Sequence, residues 1–278
     1  MEPVLSVVIP AYNNQDFIAE TMRSVLEQTH GDFELIVADH ASSDKTLEIL
    51  RGFESDPRVR VLLTEAGGGA VRNWNRVTDE ARGEFIKLVC GDDILEPTCL
   101  EKQLAAFEPG VDMVAARRDI MDADGRPIMK GRGLPGLIGR FSGRTAIKRT
   151  VREGTNVFGE PASVMFRREA LAAAGNWDRD EHFLLDEATY ASVLVNGDFV
   201  GLADSLGAFR VSGGQWSVRL AKSQADEAVG FHKKLAAKHP GLLSRTDLLV
   251  GNTRARLMAM ARRVVYIWLA KRMVKEPE

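Results

Sequence analysis

Four short β-prone runs recur about 25 residues apart, each followed by a stretch of helical apolar spacing, and this rhythm limits the fold more than any other feature. Leu5–Ile9, Phe33–Ala38, Val59–Leu63 and Phe85–Val89 are nearly continuous apolar segments of strand length, as expected of strands covered on both faces. In this reading Pro10 closes the first strand. Between the runs, Phe17, Ile18, Met22, Val25 and Leu26 repeat at helical spacing. Ser42-Ser-Asp-Lys-Thr46 offers N-cap residues for a helix reaching Leu50, and Ala70–Ala81 reads as a third helix. Such alternation argues for an α/β fold with a parallel sheet and helices on its faces.

Beyond a helix expected over Pro97–Phe107 the alternation weakens. The pattern predicts a strand over Asp112–Arg117, a turn over Asp122–Pro127, a helix over Ser142–Val151 and a strand over Ala162–Arg167. It then predicts a helix over Glu187–Val195 and two strands, Phe199–Ala203 and Leu206–Val211. Gly131, Gly133, Gly136 and Gly139 stand among few packing residues, so 131–139 is expected to be a mobile loop, either a lid or plain surface. From Val218 onward the chain reads as helices broken at His239-Pro-Gly241. The expected organisation is a first domain of residues 1–217 and a helical extension of residues 218–278.

Whole-chain charge bears on partners. The formal net charge of −2 gives no global pull toward nucleic acid or an anionic membrane. That balance hides an asymmetry, because residues 248–278 carry a formal +5 and residues 1–247 a formal −7. Cys90 and Cys99 are the only cysteines and form no disulfide framework, which favours a reducing cytoplasm. The start Met1-Glu-Pro3 leads directly into the first strand without a signal-peptide pattern, and no apolar stretch approaches the roughly 20 residues that span a bilayer.

Polar groups collect where strands end. Phe85–Val89 runs into Gly91-Asp92-Asp93, two adjacent carboxylates that repel unless a cation or polar ligand joins them, and oxygen ligands of this kind suit hard divalent cations. Pro10-Ala11-Tyr12-Asn13 follows the first strand and Asp39 ends the second. In a parallel sheet all three lie on one edge, where ligands bind. Tyr12 can stack on a base, Asp39 can accept its N–H, and Asp93 can hold a cation bridging phosphates. The bland alternatives are a helix-capping loop at Tyr12-Asn13, an N-cap at Asp39 and an acidic turn at Asp92-Asp93.

These strings resemble the family-2 glycosyltransferases, which have the GT-A nucleotide-sugar-binding fold, a Rossmann-like, mostly parallel central sheet flanked by helices. The resemblance runs in order through roughly residues 4–216. It is carried by Val7-Val-Ile-Pro-Ala-Tyr-Asn13, Phe33-Glu-Leu-Ile-Val-Ala-Asp39-His-Ala-Ser-Ser-Asp44, Asn73-Trp-Asn75-Arg, Ala81-Arg-Gly-Glu-Phe-Ile86 and Asp92-Asp93 with Pro97 following. It implies that Pro10, Ala11, Tyr12, Asp39, Arg72 and Asp92 hold the nucleotide-sugar donor and that Asp93 ligates Mg²⁺ or Mn²⁺. Phe166-Arg-Arg168, Gly175-Asn-Trp177 and Leu185-Asp186-Glu187 are similar to the acceptor-side half, which makes Asp186 the implied catalytic base and Glu187 its rival. The bland alternative for Asp186 is an N-cap.

Several positions depart from the pattern. His40 stands where a second Asp is usual, Cys90 replaces an acid, Leu185 replaces another, and Ser212 of Phe209-Arg-Val-Ser212 replaces a histidine. A processive Gln-x-x-Arg-Trp motif is absent, since Gln215 and Trp216 are adjacent and an Arg comes only at 219. The resemblance therefore implies an inverting, single-addition hexosyltransferase using a nucleotide-diphosphate sugar, with UDP-sugar foremost. Its acceptor would be a glycan or lipid-linked hydroxyl in surface polysaccharide, lipopolysaccharide or glycoconjugate synthesis, and no nucleic acid is expected as a partner. A catalytically impaired donor-binding or scaffold relative is the alternative. A dinucleotide dehydrogenase, suggested by Gly67-Gly-Gly69, lacks its third glycine because Arg72 stands there.

Thr253–Met273 reads as a helix with Leu257, Met260, Ala261, Val264, Ile267 and Trp268 at three-to-four spacing, flanked by Arg256, Arg262, Arg263, Lys271 and Arg272. Two readings stay open: residues 253–275 rest on an anionic membrane at the inner face of the cell membrane, or the apolar stripe packs on the first domain.

Overall fold

The computed structural model describes residues 3–178, 184–212 and 224–269. Strand β1 (Leu5–Ala11) is an interior strand of a ten-stranded sheet. Helix α1 (Ile18–Leu26) leads to β2 (Phe33–Asp39), α2 (Thr46–Arg51) to β3 (Val59–Leu63), and α3 (Gly69–Asp79) to β4 (Phe85–Leu88). These strands lie in the order β3-β2-β1-β4 and are all parallel. The chain steps outward from β1 to β2 and β3, then returns to place β4 on the other side. That reversal opens a crevice at the C-terminal ends of β1 and β4, the usual ligand position in such a sheet.

Alternate strand residues serve two cores. Val8, Ile36, Ala38, Ile86 and Leu88 face one cluster, while Leu5, Val7, Ile9, Leu35 and Val37 face another filled by Ile18, Met22, Val25, Leu50 and Leu100. Each fully buried side chain of this size contributes about 1.5–3 kcal/mol. Continuous apolar runs were needed because both faces are covered.

Pro10 does not end β1; it pairs in register with Ala38. The physical reason is local. Val89 N donates to Val8 O, so two residues on Pro10 presents its nitrogen toward the same side, where the ladder to β4 has already ended at Leu88. No donor is missed there.

The second half departs further from the sequence expectation. After β5 (Ile94–Leu95) and α4 (Cys99–Ala105), β6 runs over Val111–Met121, well past Arg117. Next come β7 (Pro127–Arg132), β8 (Gly139–Ser142), α5 (Gly143–Glu153, capped by the Ser142 hydroxyl), β9 (Val164–Arg167), α6 (Arg168–Ala173) and α7 (Leu185–Leu194). The two strands expected after α7 are one, β10 (Asp198–Arg210), with register shifts around Ser205. A bulge of this kind bends a strand without ending it.

Residues 131–139 are not a loose loop. They join β7 to β8, and Leu134 and Leu137 are buried in the core, with Leu134 N donating to Val157 O. All four glycines have positive φ, with Gly136 between those two anchors and Gly131, Gly133 and Gly139 flanking them. Helices Gln224–Lys238 and Arg245–Leu269 follow, and Phe231, Leu235 and Ala255 belong to the same core cluster as β6. The expected junction at 217/218 and the Gln215-Trp216 segment lie outside the described residues. No helix among the described residues is long and apolar enough to cross a membrane.

Candidate active site

The loop leaving β1 is stapled to the turn leaving β2. Asn13 N donates to Ser42 Oγ (3.0 Å), Asn14 N to Thr46 Oγ1 (2.8 Å) and Gln15 N to Asp44 Oδ2 (3.1 Å), while Ser43 N donates to Asn13 Oδ1 (2.9 Å). The seryl and aspartyl residues after Asp39 are therefore a scaffold for Tyr12, which stays 57% exposed with its ring centroid 6.0 Å from that of His40 in an edge-on arrangement. Pro10 and Ala11, at the end of β1, form the floor beside it. Asn73 of α3 ties this floor together, donating to Ala11 O (3.2 Å) and Ala38 O (3.0 Å).

Asp39 is buried at the tip of β2. Its Oδ2 accepts from Ser42 N (3.1 Å), but its buried Oδ1 has no partner among the described residues. An orphan carboxylate oxygen inside a protein is costly and marks a place where a ligand donor fits. His40 is turned away from that role: its Nε2 bonds Gly67 O at 2.9 Å, ahead of α3. Arg72 is engaged on the flank, pairing with Glu65 at 2.8 Å and donating to Ala66 O. It lines a separate cleft with Leu63, Thr64, Val71, Asn75 and Asp79, so its placement does not join it to Asp39 or Asp93.

Asp93 is fully buried after β4. Its Oδ1 accepts from Arg210 N (3.2 Å) and its Oδ2 has no partner among the described residues. Burial first, then the neighbouring Asp92 and Glu160, hold its carboxyl well above the usual carboxylate range. Arg210 opposes this only in part, and added positive charge such as a divalent cation would favour the ionised carboxylate further. No cluster of three or more His, Cys, Asp or Glu side chains that could hold a metal exists among the described residues. The residues thus fit a cation whose coordination is completed by a phosphate-bearing ligand, not by a protein cage.

Arg210 fixes this turn. From the end of β10 its Nε donates to Asp92 O (3.0 Å), its Nη1 to Ala123 O (3.0 Å) and its Nη2 to Glu20 Oε2 (2.6 Å), with the guanidinium 4.8 Å from the Phe17 ring. In the Phe209-Arg-Val-Ser212 string the informative residue is this arginine, a buried charge at the end of a strand.

Across the crevice, Asp186 is the second residue of α7 and not its N-cap, which is Leu184. Its Oδ1 accepts from Glu187 N (2.7 Å) and its Oδ2 from Asn156 Nδ2 (2.8 Å). Loss of solvent, then Glu160, raises its pKa to about 6 against these two hydrogen bonds. Glu187 points the other way: it is buried, accepts from Thr150 Oγ1 of α5 (2.9 Å), and burial and Asp186 lift its pKa to about 7.

Asn156, Arg118 and Glu160 were not singled out from sequence. Asn156 Oδ1 accepts from Phe158 N and Gly159 N, which locks the amide that faces Asp186. Buried Arg118 grips Glu160 with Nε and Nη2, the latter at 3.1 Å from Oε1. Burial works against that carboxylate, but Arg118 prevails and keeps its pKa below the ordinary value. The available signal was a charged string, Arg117-Arg118-Asp119, inside a strand otherwise rich in apolar residues. Cys90 lies at the centre: burial, Asp93, Asp92, Asp186 and Glu160, in that order, push its thiol well above its ordinary pKa. The acids after β4, the one at the start of α7 and Glu160 therefore all act on the Cys90 thiol.

The chain has relatives in sequence and in fold. The profile of glycosyl transferase family 2 matches residues 6–175. The uncharacterized protein MT1568 of Mycobacterium tuberculosis is 36% identical over 195 residues, covering 66% of this chain and 60% of that protein. The putative teichuronic acid biosynthesis glycosyltransferase TuaG of Bacillus subtilis is 34% identical over 131 residues, 46% of this chain and 52% of that protein. The chain thus spans between half and two thirds of the length of these two curated relatives. In fold it is similar to S. aureus TarS 1–349 in complex with UDP-GlcNAc (TM-score 0.68, 19% identity, 86% of this chain and 66% of that chain). It is also similar to the mannosyltransferase PcManGT of Pyrobaculum calidifontis in complex with GDP-Man and Mn²⁺ (TM-score 0.66, 18% identity, 96% and 76%).

Proposed function

The chain belongs to glycosyl transferase family 2, and from that premise we propose that it moves a single sugar, with inversion, from a nucleotide-diphosphate sugar to a hydroxyl of a glycan or lipid-linked acceptor. The observation that carries this is a pair of buried oxygens without a partner among the described residues, Asp39 Oδ1 at the end of β2 and Asp93 Oδ2 after β4. A nucleobase N–H satisfies the first. A divalent cation, Mg²⁺ or Mn²⁺, supplies charge to the diphosphate when held at the second. Surface polysaccharide, lipopolysaccharide or glycoconjugate synthesis is the setting we assign, and a UDP-sugar is the first donor to try.

In this reading Tyr12 stacks on the base over Pro10 and Ala11, Asp92 lies by the ribose or sugar, and Arg72 reaches the donor only by leaving Glu65. Asp186 takes the proton of the acceptor hydroxyl as that oxygen bonds to the anomeric carbon and the bond from that carbon to the diphosphate oxygen breaks. A base with a pKa of about 6 is ionised at neutral pH yet basic enough to accept that proton. Asn156 aims it, and Arg210 fixes the turn that presents Asp93. Glu187, satisfied by Thr150, is set aside as the base. The departures at His40, Cys90, Leu185 and Ser212 leave Asp39, Asp93 and Asp186 in place, which favours an enzyme over an impaired relative.

The test is donor hydrolysis and transfer over UDP-, dTDP- and GDP-sugars with Mn²⁺. Asp186→Asn and Asp93→Ala are each expected to lower turnover by about 10²-fold or more. Near-parental turnover in folded Asp186→Asn refutes the base assignment.

A further inference from the structure

The helix Arg245–Leu269 has two apolar faces, and the fold uses only one. The inner face is built of small residues. Gly251, Ala255 and Ala259 are buried, and a Cβ on Gly251 would lie 2.3 Å from Val151 O of α5. A Cβ on Gly154, just beyond α5, would lie 2.3 Å from Ala255 N. On the opposite side, at helical spacing, stand Leu249, Leu257, Met260 and Val264, with exposures of 70%, 55%, 55% and 67%. Leu257, Met260, Ala261 and Val264, the described part of the stripe read from sequence, therefore do not pack on the rest of the chain; the small-residue face occupies that seat because it permits so close an approach. The side chains of Ile267 and Trp268, and residues 270–275, lie outside the described residues.

An exposed row of this kind calls for an apolar surface. Its borders narrow the choice. Arg256 and Arg263 are exposed along one shoulder, and Arg254, paired with Glu153, marks the other. The segment 248–278 carries a formal +5 while the rest of the chain is acidic. A second copy of this face would set arginines against arginines. An interface with apolar depth and negative headgroups complements both the stripe and its borders.

We propose that the outer face of this helix docks parallel to an anionic phospholipid bilayer, with Leu257, Met260 and Val264 in the interfacial layer and Arg256 and Arg263 at the headgroups. This docking goes beyond the transfer reaction and does not rest on it.

The experiment is flotation of the full chain with phosphatidylcholine vesicles, with and without phosphatidylglycerol, comparing the parent with L257E/M260E/V264E. Truncation is a poor probe because it strips the packed Gly251–Ala255 face, whereas these three substitutions touch only exposed positions. The parent is expected to float with phosphatidylglycerol-containing vesicles and not with phosphatidylcholine alone. Raising salt from about 0.1 M to about 0.5 M should weaken that binding several-fold. The triple variant should lose flotation by about tenfold or more while keeping its helicity by circular dichroism and its donor hydrolysis. No flotation of the parent with anionic vesicles overturns the proposal. So does equal flotation of the variant, or a concentration-dependent dimer that the variant abolishes without any vesicle binding.

Discussion

Asn156→Ala is the most informative perturbation of the site, because it removes one hydrogen bond to Asp186 and touches no donor-edge residue. The bond is 2.8 Å long and its acceptor is the carboxylate itself. A hydrogen bond to a charged group contributes about 1.5–3 kcal/mol. Asp186 is only half-buried, so water recovers part of this, leaving about 1.4 kcal/mol, or one pKa unit. The sign follows from which form is stabilised. Asn156 favours the ionised carboxylate, so its loss raises the pKa from about 6 toward about 7. The ionised form does the work, so activity rises with pH through that value and the acid limb of the kcat profile moves to higher pH. Near pH 6 the ionised fraction falls from about a half to about a tenth, a fivefold loss beyond any loss of aim, while well above pH 8 only the loss of aim remains. Glu160, Glu187 and the neutral Cys90 also face Asp186 and are unchanged in the variant. The assay is kcat and kcat/KM for transfer across pH, with donor KM expected to stay near the parental value. An acid limb at the parental position, whether turnover is unchanged or uniformly lower, refutes the positioning role.

Three further outcomes are expected. Asp186 and Glu187 both have raised folded pKa values, so the folded protein holds protons that the unfolded chain releases, and their cost grows as pH rises through about 6 and about 7. Glu187→Gln should therefore raise the melting temperature at pH 8 by several degrees and leave it nearly unchanged at pH 4, read by calorimetry; the reverse order sinks the burial argument. Arg210→Met removes the clamp on Asp92 and Asp93 and leaves carbonyls unpartnered, so chemical denaturation should show a loss of about 3 kcal/mol. Gly251→Ala should cost about 1–3 kcal/mol by overpacking against Val151, measured the same way.

The first half of the fold was legible because its signals are local. Continuous apolar runs, helical spacing and strand-end polar groups all occur within windows of a dozen residues, and β1 to β4 fall where they predict. Even there Pro10 misled, since whether a missing donor matters depends on where the neighbouring ladder ends. The second half depends on long-range pairing. One strand such as β10 looks like two when a bulge interrupts its alternation, and glycines at 131–139 look loose until Leu134 and Leu137 are seen to be core residues. In the site, the carboxylates stood out but their holders did not. Asn156 and the Arg118–Glu160 pair act through contacts with residues distant in sequence, so no spacing announces them, and Arg210 lay in a quoted string whose clamping role only the fold reveals. The tail stripe was visible, but its direction was not, because that depended on which face the glycines and alanines would claim.

The staples between the β1 loop and the β2 turn carry a consequence for how discrimination between nucleotides arises. Ordering a loop residue costs about 1–2 kcal/mol of entropy, and here Asn13, Asn14 and Gln15 are fixed during folding, before any nucleotide arrives. A base therefore meets a rigid template. With Asp39 in its proposed role, selectivity among nucleotides would come from which edge of the base matches Asp39 Oδ1. A mismatched base leaves that oxygen unsatisfied and departs quickly; the loop does not refold around it.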